Sequence, residues 1–203
     1  DYVAIADQVS SFDRVIVECH PAVLLAHSGE LCLKFRDLIR GQLEVAVGLE
    51  TVHTEVLEKL NKRMTIDLFR RAADFLGQNE IDLRVFILLK PPFLDEAEGL
   101  SWACRSIDFA LECKARVAVI IPTRGGNGAM EAIDSSFIPP TLQSLEKAHE
   151  YGLSLKQGRV FVDLWDAEKF SRCECDSMRI KRLDEMNRSQ VIADEVKCER
   201  CNS

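Results

Sequence analysis

The sequence predicts an α/β fold: a partial (βα) barrel of parallel strands, followed by a small cysteine-rich tail. Three observations predict it. Short, β-branched apolar runs alternate with segments whose apolar residues recur every three or four positions, the pattern of strand–helix units in a parallel sheet. The central runs are apolar almost throughout, as strands covered on both faces are. Finally, Cys173, Cys175, Cys198 and Cys201 crowd into the last stretch of a chain of 203 residues and 8 cysteines.

The elements follow in order. Residues 14–19 (RVIVEC) are a strand that ends at His20-Pro21, because the residue before proline leaves regular structure by a turn. Residues 30–40 space Leu31, Leu33, Phe35, Leu38 and Ile39 as a helix does, with Gly41 beyond the end. Residues 43–49 (LEVAVGL) are a buried strand. Two helices follow, over 53–60 and 66–77, with Thr65 as N-cap and Gly77 as stop of the second. Residues 83–89 (LRVFILL) are a strand cut off by Lys90-Pro91-Pro92. A helix over 95–113 leads to the strand 116–122 (RVAVIIP), the glycine-rich stretch 123–128, a helix over 141–149 and a last strand, 159–164 (RVFVDL). Five strands are too few for a closed eight-stranded TIM barrel, so the predicted domain, residues 1–170, is TIM-barrel-like but partial. Residues 171–203 form the tail.

Composition narrows the function classes. An apolar fraction of 47% and a charged fraction of 29% suit an ordinary globular chain. No run approaches the roughly 18 apolar residues of a membrane helix. The N-terminal DYVAIADQVSSFDRV lacks the basic start and apolar stretch of a signal peptide, so a cytoplasmic location is expected. A net charge of -7 opposes holding nucleic acid by bulk electrostatics. In the tail, basic and acidic residues balance, making it the likelier surface for a polyanion.

Parallel α/β folds bind ligands where the strands end. The residues to inspect are therefore Glu18, Cys19 and His20, then Glu50 and Thr51, Lys90, Thr123, Arg124 and Asn127, and Asp163 and Asp166. Glu50 and Lys90 stand out because each ends an apolar strand with a charge. They serve a polar ligand or pair with one another. The stretch Gly125–Gly128 lets a ligand approach the backbone but fits no phosphate-binding fingerprint, and reads equally as a plain loop. His20 is a candidate base or a structural histidine. Cys19, Cys32, Cys104 and Cys113 show no ligand spacing and read as packing thiols.

The tail carries the strongest local signal. Cys173-x-Cys175 and Cys198-x-x-Cys201, separated by the charged, helix-forming DSMRIKRLDEMNRS, are two close pairs able to converge on one ion. Zinc is preferred; an iron–sulfur cluster also accepts four thiolates.

The succession VIVECHP (15–21), EVAVGLETVHTEVLEKLNKRMT (44–65) and VFILLKPPF (85–93) resembles radical S-adenosylmethionine (SAM) proteins. It is similar to those of archaeosine synthesis and, more distantly, to the elongator catalytic subunit family. The specific features are the strand ending GLET, the NK-x-x-T turn, the LLKPPF strand, VIIPTRGG (119–126) and RxxRLDEMNRSQ (179–190) with its flanking cysteines. The resemblance implies that the strands correspond to the third onward of a six-stranded partial barrel. It implies a SAM-contacting role for Glu50 and Thr51, for Lys90, and for Thr123 and Arg124. The cluster of that chemistry needs a CxxxCxxC loop, and that spacing does not occur in this sequence.

Three functions follow. The first is the C-terminal portion of a radical SAM iron–sulfur enzyme acting on a modified nucleoside or tRNA, with SAM and the [4Fe–4S] cluster expected only in a full-length parent. The second is a non-catalytic scaffold that keeps the half barrel and a structural zinc site. The third is a metal-independent enzyme using Glu50, Lys90 and His20. An incomplete barrel also exposes a strand edge, so self-association through that edge is expected.

Overall fold

All five predicted strands form one parallel sheet in the order β1-β2-β3-β4-β5. The computed structural model describes residues 1–60, 63–126 and 128–201. The strands are β1 (Arg14–Glu18), β2 (Gln42–Glu50), β3 (Asp82–Leu89), β4 (Val117–Pro122) and β5 (Arg159–Val162). The helices are α1 (Tyr2–Gln8), α2 (Pro21–Leu24), α3 (Glu30–Leu38), α4 (Thr54–Lys59), α5 (Ile66–Gln78), α6 (Glu96–Glu112), α7 (Ala129–Ile133), α8 (Leu142–Ser154) and α9 (Asp176–Ser189). The NK-x-x-T turn begins on Asn61 and Lys62, and Asn127 follows the glycine pair; these three lie outside the described residues.

Strand order equal to chain order has a topological consequence. Every crossover advances by one strand in the same sense, and with uniform handedness all the connecting helices fall on one face. That face is the core. Leu43, Val45, Val47 and Leu49 of β2, Leu83, Val85, Ile87 and Leu89 of β3, and Val160 and Val162 of β5 are all buried there. Phe69, Ala72 and Leu76 of α5, Ala103 and Ile107 of α6, and Leu145 and Ala148 of α8 pack against them in one cluster. Contact is tight where α8 crosses β5: a Cβ on Gly152 would lie 2.7 Å from Val160 Cγ1, so only glycine fits.

The alternate residues form the other face. Register aligns Gly48, Phe86, Val119 and Phe161 in one row and Leu88 beside Ile121 in the next. Phe86, Leu88, Val119, Ile121 and Phe161 are only partly buried. In a closed barrel such side chains fill the interior; here they line an open apolar trough.

Helix ends follow the sequence signals. The Thr65 hydroxyl accepts from Leu68 N at 3.1 Å, and Asp95 and Glu98 cap α6 reciprocally. Helix α8 runs to Ser154, five residues past the predicted end, because Gly152 is buried inside it against Val160. Helix α1 was not expected: of its residues only Ala6 is buried, so it carries no apolar stripe to read. No helix among the described residues is long and apolar enough to cross a membrane.

Candidate functional site

The trough is closed at the strand N-termini by charge. Glu44, 1% exposed, faces Arg14 on one side, at 2.9 Å, and Arg84 on the other. Asp82 in turn pairs with Arg14, and with Arg116 at 3.6 Å. A carboxylate this buried is tolerable only because two guanidiniums meet it.

At the opposite end the predicted strand-end residues separate into two groups. Thr51, Lys90 and Thr123 are buried and engaged in fixing the backbone. The Thr51 hydroxyl accepts from His53 N at 3.1 Å, and the Thr123 hydroxyl donates to the Leu89 carbonyl at 2.9 Å. The Lys90 ammonium lies 3.2 Å from Glu96 of α6, and its stem packs on Gly99, where a Cβ would come within 2.6 Å. Glu96 also accepts from Thr141 N and Oγ1, both at 2.8 Å, tying the ends of β3, α6 and α8 together. Burial pushes the Glu96 carboxyl up, but donors at Ser144, Thr141 and Lys90 outweigh it and hold it below its ordinary value.

Glu50 and Arg124 stand at the strand C-termini, Glu50 as the last residue of β2 and Arg124 two residues past β4. Glu50 has a positive φ of 64° at a break in register after Gly48, and its carboxylate folds back over that glycine: a Cβ on Gly48 would lie 2.7 Å from Glu50 Oε1. Arg124 donates to Asp163 Oδ2 at 2.8 Å and to the Trp165 carbonyl, and its guanidinium stands 5.7 Å from the Trp165 ring. Asp163 also accepts from Trp165 N at 2.9 Å. The backbone of Trp165 is thus pinned while its ring stays 74% exposed, the most exposed large apolar side chain described. Asp166 takes a positive φ of 55° and pairs with Lys169. His20 caps α2, its Nδ1 accepting from Ala22 N at 3.1 Å, with Pro21 at the first helical position. Cys19, Cys32, Cys104 and Cys113 are half-buried, and burial raises all four thiols.

The four tail cysteines come together as the spacing predicts. Their sulfurs all lie within 4.8 Å of one another, with Cys173 to Cys198 at 3.7 Å and Cys175 to Cys201 at 3.5 Å. Metal–sulfur bonds of about 2.3 Å put the edges of a tetrahedron at about 3.8 Å, so one ion fits this set. A cubane cluster interposes iron and sulfide between the thiolates and needs them further apart. Backbone N–H groups of Arg200 and Cys201 point at Cys198 and lower its thiol to about 7, while burial raises the Cys175 thiol and hydrogen bonds with Cys173 and Cys175 raise that of Cys201.

Helix α9 ties this centre to the domain. Asp176 at its start accepts from Arg172 N at 2.7 Å and Cys173 N at 2.8 Å, fixing the first cysteine loop. Arg179 and Arg182, both buried, meet the two oxygens of the buried Glu146 on α8. Arg182 also donates to the carbonyls of Ala193 and Asp194, which holds the returning segment of the tail against the helix. Leu183 and Met186 are fully buried in the same core as the sheet. Sequence reasoning missed Glu146, Arg179 and Arg182; the available signal was that the two arginines stand three apart on one helical face.

No family model matches the chain. It is 27% identical over 135 residues to the archaeosine synthase subunit beta of Methanosarcina acetivorans, covering 65% of this chain and 38% of that protein. It is 25% identical over 199 residues to an uncharacterized protein of Methanocaldococcus jannaschii, covering 91% of this chain and 54% of the relative. The chain therefore spans about half, or less, of the curated relatives it matches. Among solved structures, D-psicose 3-epimerase in the presence of D-fructose aligns with 89% of this chain and 64% of its own, at a TM-score of 0.53 and 15% identity. That likeness bears on the fold alone and agrees with a TIM-barrel-like sheet.

Proposed function

We propose that the chain is the C-terminal portion of a radical SAM enzyme acting on a modified nucleoside or tRNA, and that a single zinc ion occupies the four-cysteine centre. The observation that carries this reading is the open trough: an apolar sheet face bounded at the strand C-termini by Glu50 and by Arg124 with the exposed Trp165. The names of the archaeosine synthase relatives support the substrate class. In this reading the Glu50 carboxylate accepts hydrogen bonds from ribose hydroxyls or an ammonium, and Arg124 and Trp165 receive a planar base. Thr51, Lys90 and Thr123 act as positioning residues that fix the strand ends.

The [4Fe–4S] cluster does not fit this chain. The four tail sulfurs are too close for a cubane, and the sequence has no CxxxCxxC, so no radical step is assigned to these residues. Cys173, Cys175, Cys198 and Cys201 would hold zinc with no open position, and the ion would supply structural rather than Lewis-acid chemistry. A second reading is a non-catalytic scaffold that keeps the half barrel and a structural zinc site, and the close-set four-sulfur centre is the observation that favours it.

Titration with S-adenosylhomocysteine and, separately, with tRNA, followed by Trp165 emission in a chain carrying Trp102→Phe, separates the two. Saturable binding that is weakened about tenfold or more by Glu50→Ala, with the metal content unchanged, supports the ligand face. A wild-type chain that binds neither ligand leaves the scaffold.

A further inference from the structure

Parallel sheets end in two edges, and this one treats them differently. In β5, Arg159 N and Asp163 N bond to Arg116 O at 3.1 Å and Ile120 O at 2.9 Å, so the odd residues face β4 and Val160 and Val162 face outward. No strand lies there. Instead the Asn187 amide of α9 accepts from Val162 N at 2.8 Å and donates to Val162 O at 2.9 Å. The amide of Gln190 does the same to Val160, at 2.8 and 2.9 Å. Each carboxamide offers one acceptor and one donor side by side, as a strand residue does, so two side chains replace a sixth strand. In β1 the pattern leaves Arg14, Ile16 and Glu18 outward, since Asp13 O and Cys19 N bond to β2. Among the described residues nothing pairs with that edge, and Ile16 is 49% exposed.

The two amides lie at the C-terminal end of α9, and the four sulfurs gather at its N-terminal end, with Cys175 as its N-cap. Gln190 stands in the left-handed region at φ 57°, a conformation that the helix end must hold for its amide to reach Val160. The helix is kept in place by Glu146 from the side and by the cysteine centre at its start.

We propose that the metal centre serves to seal the sheet: one thiophilic ion at the four cysteines holds α9 so that Asn187 and Gln190 terminate β5, and loss of the ion opens the β5 edge to pairing with a second copy. The proposal rests on the metal reading above, and the test keeps the two apart. Hydrogen exchange at residues 159–163 and mass in solution are measured for the zinc-loaded chain, for the chain stripped with a chelator, and for Asn187→Ala/Gln190→Ala. The stripped chain is expected to exchange the Val160 and Val162 amides about tenfold faster or more and to show concentration-dependent dimers. The double alanine variant is expected to do both with its metal still bound.

Unchanged exchange and mass in the double variant, with native circular dichroism, would overturn the edge seal. A sealed, monomeric chain after stripping would overturn the metal's part in it. A purified wild-type chain that binds no zinc, cobalt or iron removes the metal reading itself, and the double variant then still judges the seal alone.

Discussion

Glu146 offers the sharpest test of how the tail is attached. It is 2% exposed in α8, with one carboxylate oxygen on Arg179 and the other 3.1 Å from Arg182. Glu146→Ala strands these cations unequally. Arg182 keeps Glu150 at 2.7 Å and two backbone carbonyls, while Arg179 keeps the more distant Asp176 carboxylate at 3.6 Å and its contact with Cys175. Removing one partner of a buried pair costs about 3–5 kcal/mol, and the surviving partners of Arg182 place this case near about 3 kcal/mol. With a urea slope of about 2 kcal/mol per molar, the unfolding midpoint drops by about 1.5 M. Urea unfolding followed by far-UV circular dichroism, on protein of measured metal content, reads this directly. Replacing all three groups together, as Glu146→Met, Arg179→Leu and Arg182→Met, is expected to cost less than the single change, since Glu146 and both its guanidiniums leave together, Asp176 keeps the N–H groups of Arg172 and Cys173, and Glu150 is partly exposed to water. A single-variant shift below about 0.3 M at unchanged slope would refute the argument that these charges are desolvated.

Two further outcomes follow from the same geometry. Burial pushes His149 down to about 4 from 6.5, with Arg182 acting in the same sense and its bond to Val160 O opposing. Between those values the unfolded chain binds the extra proton, so stability falls as pH drops from 6.5 toward 4, by up to about 3 kcal/mol; His149→Phe is expected to flatten that part of the denaturation profile, and an unaltered slope would count against it. Gly48→Ala meets only the end of the Glu50 side chain, at 2.7 Å, so it should displace the carboxylate with little change in melting temperature. It is expected to weaken ligand binding as Glu50→Ala does, and normal affinity would detach Glu50 from the ligand face.

The legible part of the fold was the part governed by burial. Past the charges at their N-terminal ends, strands β3 and β4 are apolar on both faces and β2 carries only alanine and glycine on the trough side, because helices cover one face and the trough wall forms the other, and such runs announce themselves. Helices α5 and α6 were equally plain, with Phe69, Ala72 and Leu76 or Ala103, Ile107 and Ala110 on one stripe. Strand-end charges were legible as positions and opaque as roles. Lys90 looks like a ligand group in sequence, yet its partner Glu96 stands across a Pro-Pro turn, and Gly99 makes the room that brings its stem against α6. No periodicity encodes a contact of that kind. Arg124 was chosen for its place after β4, but the exposed ring of Trp165 beside it was not, because a lone tryptophan in a loop has no pattern to distinguish it from a buried one.

The tail shows the same division more strongly. Two cysteine pairs at metal spacing are visible at once, because ligand chemistry demands those residue types close together. What they hold in place is not, because Asn187 and Gln190 read as ordinary polar positions at the end of a charged helix. Their amides work only if the helix descends along β5, and that depends on Leu183 and Met186 reaching the core and on Glu146 drawing two arginines out of water. A strand would have supplied the same four hydrogen bonds and left its own edge beyond it. A helix supplies them and ends the sheet, since its backbone is already paired within itself and no further strand can add. The chain can therefore extend its sheet only from β1, where Arg14, Ile16 and Glu18 keep their outward groups free of any partner among the described residues.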